Sequence, residues 1–236
     1  MKQLLQSLRS GETMVADVPV PRPGPGMALV RNAASLVSAG TERTLVEFAE
    51  KSLLGKAQSR PDLVRQVLDK ARREGIVGTV SAAFNRLDQP TTLGYSSAGT
   101  IVEVGPGLAG FHPGDRVACA GGGYAVHAEY VVVPQNLMVK LPDEVDFESA
   151  AFTTLAAIAM QGFRLAELQL GERAAVIGLG LLGLLTVSIA RAAGCQVFGV
   201  DLDPRRIALA QEMGAKAVSR DVAEAAGRAF TQDRGF

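Results

Sequence analysis

The sequence predicts a mixed fold, a small β-barrel followed by an α/β part built on a parallel sheet, and three observations carry that expectation. Between positions 173 and 201 an apolar run, the spacing G-x-G-x-x-G and a second apolar run ending in an acid read as strand, glycine turn, helix and strand. From 93 to 134, short apolar segments alternate with glycine- and proline-bearing turns, the pattern of a small barrel. Over 236 residues, 47% hydrophobic content and equal acidic and basic counts (24 each) describe a globular chain of one or two domains.

That charge balance argues against a nucleic-acid footprint, which needs a basic excess or a basic face. The basic residues of 60–73 are interleaved with Asp62, Asp69 and, just beyond, Glu74, as on a solvated helix face. Cys119 and Cys195 stand far apart with no C-x-x-C, which supports neither a zinc site nor a disulfide framework and points to a reducing cytoplasm. The opening MKQLLQSLRSGE is too soon interrupted by Arg9 and Glu12 to be a signal peptide. The uncharged run 174–190 falls short of the roughly 20 residues a membrane span needs and carries three glycines. No membrane association is therefore expected.

In the glycine segment the apolar run 174–177 stops at Gly178, and Gly180 and Gly183 complete the motif around Leu179, Leu181 and Leu182. The first glycine permits a tight turn, the second a close approach to a pyrophosphate, and the third close packing of helix on strand. Free N–H groups at the helix start then face the phosphates. Leu181, Leu184, Leu185 and Ile189 share one face of that helix. The second run, 196–200, ends in Asp201, about twenty residues beyond the glycines, where a carboxylate binds ribose hydroxyls and repels a 2′-phosphate. NAD is expected over NADP; Arg205 and Arg206, which could stack on adenine or accept a 2′-phosphate, keep NADP as the minority reading.

Before it, 13–18 and 27–34 read as strands separated by the proline-rich connection 19–26. A glycine-bearing loop, 36–43, leads to a helix around 44–50, and 53–75 reads as an amphipathic helix. Strands at 100–104, 117 and 129–133 continue the barrel, and a helix over 147–165 bridges to the glycine segment. His112 falls in a Pro-Gly-Asp turn and His127 beside the last barrel strand, both with ordinary surface or packing roles.

LGYSSAGTIVEVGPGLAGFHPGDRV (93–117), AEYVVVP (128–134), LPDEVDFESAAF (141–152) and the glycine motif together resemble the medium-chain dehydrogenase/reductases, the alcohol dehydrogenase superfamily. The resemblance implies a GroES-like barrel over 1–146, with a helical insertion near 44–90, and a Rossmann domain from 147 to 236. SLVSAGTER, DQPTTLGYSSAG and FTTLAAIAMQG are similar, more narrowly, to the dehydrogenase half of bacterial bi-domain oxidoreductases, where a Gfo/Idh/MocA-type domain follows. It further implies an oxidoreductase moving hydride between NAD(H) and a carbonyl/alcohol or activated double bond of a small, sugar-related molecule, and a homodimer in the full-length form.

The departures concern zinc. Where zinc-dependent members place a cysteine before Gly-(Ser/Thr)-Asp, Ala39 precedes Gly40, Thr41 and Glu42; their His-Glu pair is here Tyr95 and Ser96; their third ligand falls about at Thr154 or Leu155. Zinc wants a tetrahedral set of thiolate, imidazole or carboxylate ligands, so no metal is expected. By position Thr41 matches the family's proton-relay hydroxyl and Tyr95 a former ligand, which makes them the candidate catalytic residues, with Glu42 to orient Thr41 or take up a proton. Thr154 joins the cofactor-facing residues.

A full dinucleotide fold has six strands ordered 3-2-1-4-5-6. Only 174–177, 196–200 and at most 217–219 are available here, followed by a helix over 221–230. The first would be an apolar, unpaired edge. The expectation is thus a fragment of a larger reductase, with a non-catalytic dinucleotide-binding module as the alternative to an enzyme.

Overall fold

The structure is a computed structural model that describes residues 1–50, 55, 58 and 89–236. The amphipathic helix expected over 53–75 lies outside the described residues, as does most of the insertion expected near 44–90. Two compact units divide the rest, Met1–Thr153 and Thr154–Phe236. No helix among the described residues is long and apolar enough to cross a membrane.

The first unit is built on two antiparallel sheets. In the larger, β3 (Met27–Ser35), β5 (Ser96–Val104), β6 (Arg116–Ala120), β7 (Tyr130–Pro134) and β8 (Met138–Lys140) lie in the order β7-β3-β5-β6-β8. Alternation along these strands aims Ala28, Val30, Ile101, Val117, Cys119, Val131 and Val133 into one core. Fully burying a side chain such as Val30 or Ile101 stabilises by about 1.5–3 kcal/mol. A smaller sheet orders β2 (Thr13–Asp17), β1 (Lys2–Gln6) and β4 (Thr91–Thr92) as β2-β1-β4. KQLLQ gives no alternating pattern from which β1 could be expected; its pairing with β2 and β4 makes it a strand.

Two expectations about helices are corrected. Residues 36–43 do not form a loop throughout, because α1 (Ala39–Glu50) starts at Ala39. The Glu42 carboxylate reaches back to the Ser38 N–H at 2.9 Å and caps the first turn, a reciprocal contact that outweighs the helix-breaking bias of Gly40. The bridging helix is interrupted: α2 (Phe147–Ala150), capped by Asp146, ends at Ala151, and α3 (Thr153–Leu165) begins two residues on.

The second unit is a parallel sheet ordered β11 (Lys216–Ser219), β10 (Gln196–Asp201) and β9 (Arg173–Ile177), with α4 (Leu181–Ala192), α5 (Pro204–Glu212) and α6 (Ala223–Thr231). Its core holds Leu179, Val187, Ala190, Val197, Ala210 and Ala217. The deepest face of α4 runs through Val187 and Ala190, while Leu181, Leu184, Leu185 and Ile189 are half-buried. β9 lies at the edge of this sheet, with Ile177 at its end 86% exposed. Phe198, Phe230 and Phe236 group with ring centroids 5.5–6.1 Å apart.

Candidate functional site

The glycine turn has the geometry of an anion cradle. Gly178 sits at φ +91°, a conformation L side chains rarely adopt, and closes the turn from β9. Gly183, in the first turn of α4, would place a Cβ 1.9 Å from the Gly178 carbonyl oxygen, so no larger residue fits between helix and loop. Gly180 caps α4 in an extended conformation with no side-chain partner, which leaves the first N–H groups of the helix available to a ligand.

Asp201 ends β10 beside this turn. One carboxylate oxygen accepts the Leu179 N–H at 2.6 Å, and the other accepts the N–H groups of Leu202 and Asp203 at 2.8 Å each. These backbone donors, that of Asp203 foremost, together with the nearby Arg206 charge, hold its pKa below the usual carboxylate range against the opposing effect of burial. Asp201 is therefore an anion at neutral pH that ties the loop to the second strand. The Arg206 guanidinium stands 3.8 Å from both Asp201 and Asp203 and is half exposed. Of the other residues expected to face the cofactor, Leu179 is fully buried, Leu182 is exposed, and Leu181 and Thr154 are half-buried.

In the first unit the structure assembles a group that position in the chain does not announce. The His127 Nε2 lies 3.0 Å from Glu42 Oε2, and its Nδ1 lies 2.8 Å from the Ser35 hydroxyl. The ring is 9% exposed and the Glu42 side chain 8%. Three segments fix the ring. Asn32, at an irregularity in β3, donates its amide to the carbonyls of Ala128 (2.8 Å) and Val126 (3.3 Å), pinning the residues on either side of His127. The His127 backbone is itself held between Leu93 and Leu4 at 2.9 Å each. Gly94, at φ +92°, lies against it: a Cβ there would come within 2.8 Å of the His127 nitrogen and 3.0 Å of the ring.

With Glu42 ionised, Nε2 must carry a proton; Nδ1 accepts from Ser35 when the ring is neutral and donates to it when the ring is charged. A surface or packing role had been expected of His127, and the structure instead gives it two specific partners. No local signal marks them. His112 is exposed, with its Nδ1 3.8 Å from Asp115.

Thr41 is exposed in the first turn of α1, next to Glu42, with its hydroxyl 3.5 Å from that of Ser38, beyond ordinary O–H···O distances. Tyr95 is half-buried, and among the described residues no hydrogen bond joins its phenol to Thr41. Ser96 is buried and donates to the Ala151 carbonyl at 2.6 Å, a structural commitment. The donor set at the positions corresponding to zinc ligands, Ala39, Tyr95 and Thr154, does not fit zinc, and among the described residues no three His, Cys, Asp or Glu side chains converge. Burial pushes the Cys119 thiol up to about 12, which keeps it protonated.

An antiparallel barrel followed by a parallel sheet with a glycine cradle defines the class: a GroES-like domain joined to a Rossmann-like one. Residues 66–143 match the alcohol dehydrogenase GroES-like domain family. The chain is 35% identical over 153 residues to (R,R)-butanediol dehydrogenase of Bacillus subtilis, covering 53% of this chain and 43% of that protein. Its fold matches galactitol-1-phosphate dehydrogenase from Escherichia coli with a TM-score of 0.72 at 22% identity, covering 99% of this chain and 65% of that one. It also matches Escherichia coli quinone oxidoreductase complexed with NADPH, TM-score 0.74 at 17% identity, covering 99% and 64%. The matched segment and the fold are those of a GroES-like domain followed by a Rossmann-like one. It spans about half the length of the curated relatives it matches.

Proposed function

We propose that this chain supplies the catalytic and dinucleotide-binding parts of a zinc-independent oxidoreductase that moves hydride between NAD(H) and a carbonyl/alcohol or activated double bond. Gly178, Gly180, Gly183 and Asp201 would hold the dinucleotide, which would supply the hydride acceptor in the alcohol direction, while Glu42 would take up the substrate's O–H proton as the carbonyl forms. The observation that carries this reading is the cradle of Gly178, Gly180 and Gly183 closed by the Asp201 carboxylate. NAD is favoured over NADP because an anionic Asp201 repels a 2′-phosphate; Arg206 is the opposing influence.

Thr41 and Tyr95 are the proposed hydrogen-bond donors to the reacting oxygen, with Glu42 behind Thr41. The proposed substrate is a small, sugar-related molecule, since relatives of this chain include dehydrogenases named for butanediol, sorbitol and galactitol 1-phosphate. A cytoplasmic setting, supported by two buried free cysteines, and a homodimer with a following Gfo/Idh/MocA-type domain belong to the same proposal. The departure of Ala39, Tyr95 and Thr154 from a zinc donor set favours a second reading, a dinucleotide-binding module without turnover of its own.

The test is NADH fluorescence titration followed by turnover assays in chelator with (R,R)-butanediol, sorbitol and 1,4-benzoquinone. Binding with turnover that fails in Tyr95→Phe or Thr41→Ala supports the enzyme. Binding without turnover supports the module, and no binding removes both.

A further inference from the structure

We infer that His127 is a positioning residue for this site, holding Glu42 and, through it, the turn that carries Thr41, while connecting the buried carboxylate to solvent through Ser35. The inference rests on the proposed hydride-transfer reading for its role in turnover; the pair itself stands on geometry alone.

Glu42 is inside the first turn of α1, with one oxygen on the Ser38 N–H and the other on the His127 ring. Its side chain is only 8% exposed, so little of it meets water directly. Burying a carboxylate costs several kcal/mol unless charge or hydrogen bonds compensate it, and here the imidazole supplies the compensation. An imidazole differs from an amide in that role because its second nitrogen can exchange a proton while the first keeps its bond. That second nitrogen meets the hydroxyl of Ser35, an exposed residue at the end of β3. Ser35 and His127 both line an open cavity of about 340 Å³, with Lys2, Asn32 and Glu129 also on its wall.

Among the described residues the charged groups around the ring are few. Glu42 faces it from α1; from the cavity side come Lys2 on β1 and Glu129 just before β7, whose carboxylate is engaged by the Lys2 backbone N–H at 2.7 Å. Arg43 and Glu47, further along α1, pair with each other at 2.6 Å in solvent. The path Glu42–His127–Ser35 is thus the connection by which the carboxylate next to Thr41 can gain or lose a proton without unfolding the turn. A plain structural staple would need the first bond only, not the second.

The experiment uses the whole chain with ¹⁵N-labelled histidine. Its two histidines give two rings, and His112→Gln assigns them. The His127 ring proton should exchange with water through Ser35, so Ser35→Ala should slow that exchange about fivefold or more with an unchanged melting temperature; an unchanged exchange rate overturns the connection. His127→Gln keeps a donor for Glu42 but cannot pass a proton on to Ser35. In NAD-dependent oxidation of (R,R)-butanediol it should lower kcat about tenfold or more and leave KM within about twofold. A folded His127→Gln chain with wild-type kcat overturns the positioning role. If the unmodified chain binds no NADH, or binds it without oxidising the diol, the role in turnover is overturned with the hydride-transfer reading, while the exchange measurement still decides the connection.

Discussion

The glycine cradle of the second unit and the Glu42–His127 pair of the first solve the same problem, holding a charge in a partly dry place, by opposite routes. In the cradle, every residue that matters falls between Gly178 and Arg206, and the anion is met by backbone N–H groups the turn offers anyway. In the barrel, Ser35, Glu42, Gly94 and His127 come from four separated segments, and the carboxylate is met by a side chain from a distant one as well as by the Ser38 N–H. A local site depends on the turn alone. A dispersed one depends on the register of several strands, and it is correspondingly easier to break from a distance.

The sharpest test of that contrast is Gly183→Ala. The added methyl meets a backbone oxygen that cannot rotate away, so NADH affinity should fall about 100-fold or more by fluorescence titration, with the barrel's histidine signals unmoved. Retained affinity would mean the cradle is looser than its geometry implies. Gly94→Ala should do the reverse. A positive φ together with a 2.8 Å approach to the His127 backbone predicts about 2–4 kcal/mol of destabilisation in urea unfolding, and loss of the His127–Ser35 contact, with NADH affinity preserved per folded molecule.

The smallest effect is expected at Asp201→Asn, where the NAD-over-NADP affinity ratio should drop about tenfold. The same variant has a pH signature. Asp201 has a folded pKa below the unfolded value of about 3.9, so its stabilisation is fully present above that value and fades as pH falls through the lower folded one. The variant should therefore be less stable than the parent at pH 7 and converge with it as pH falls through the lowered folded pKa, as equilibrium unfolding at several pH values would reveal.

This division also explains what could be read from the sequence. β9, the glycine turn, α4 and β10 are legible because apolar period, glycine spacing and terminal acid all fall within one short stretch. β7 is legible because alternation survives along it, and β3 because it survives in its second half, whereas the first half of β5 is buried on both faces and carries no such period. α1 begins earlier than its composition suggests because a carboxylate four residues on satisfies the Ser38 N–H, a contact invisible to propensity. β1 depends wholly on its neighbours. His127 is the extreme case: its partner Glu42 lies 85 positions away, and only the assembled sheet brings them together. Thr41 and Tyr95 follow from resemblance, and the structure leaves one exposed and the other half-buried without a bond between them.

The pairing of β3 with β7 has a kinetic consequence. Met27 sits opposite Pro134, so the strand that carries Asn32 and Ser35 cannot be zipped into its sheet until most of the barrel's chain exists to meet it. Closing so long a loop spends chain entropy before any contact returns it, whereas β9, α4 and β10 close a short one. Pulse-labelled hydrogen exchange during refolding should find the β9–β10 amides protected before those of β3. On that ordering, the second unit condenses as the early foldon, and the ring of His127 is among the last groups to find its place.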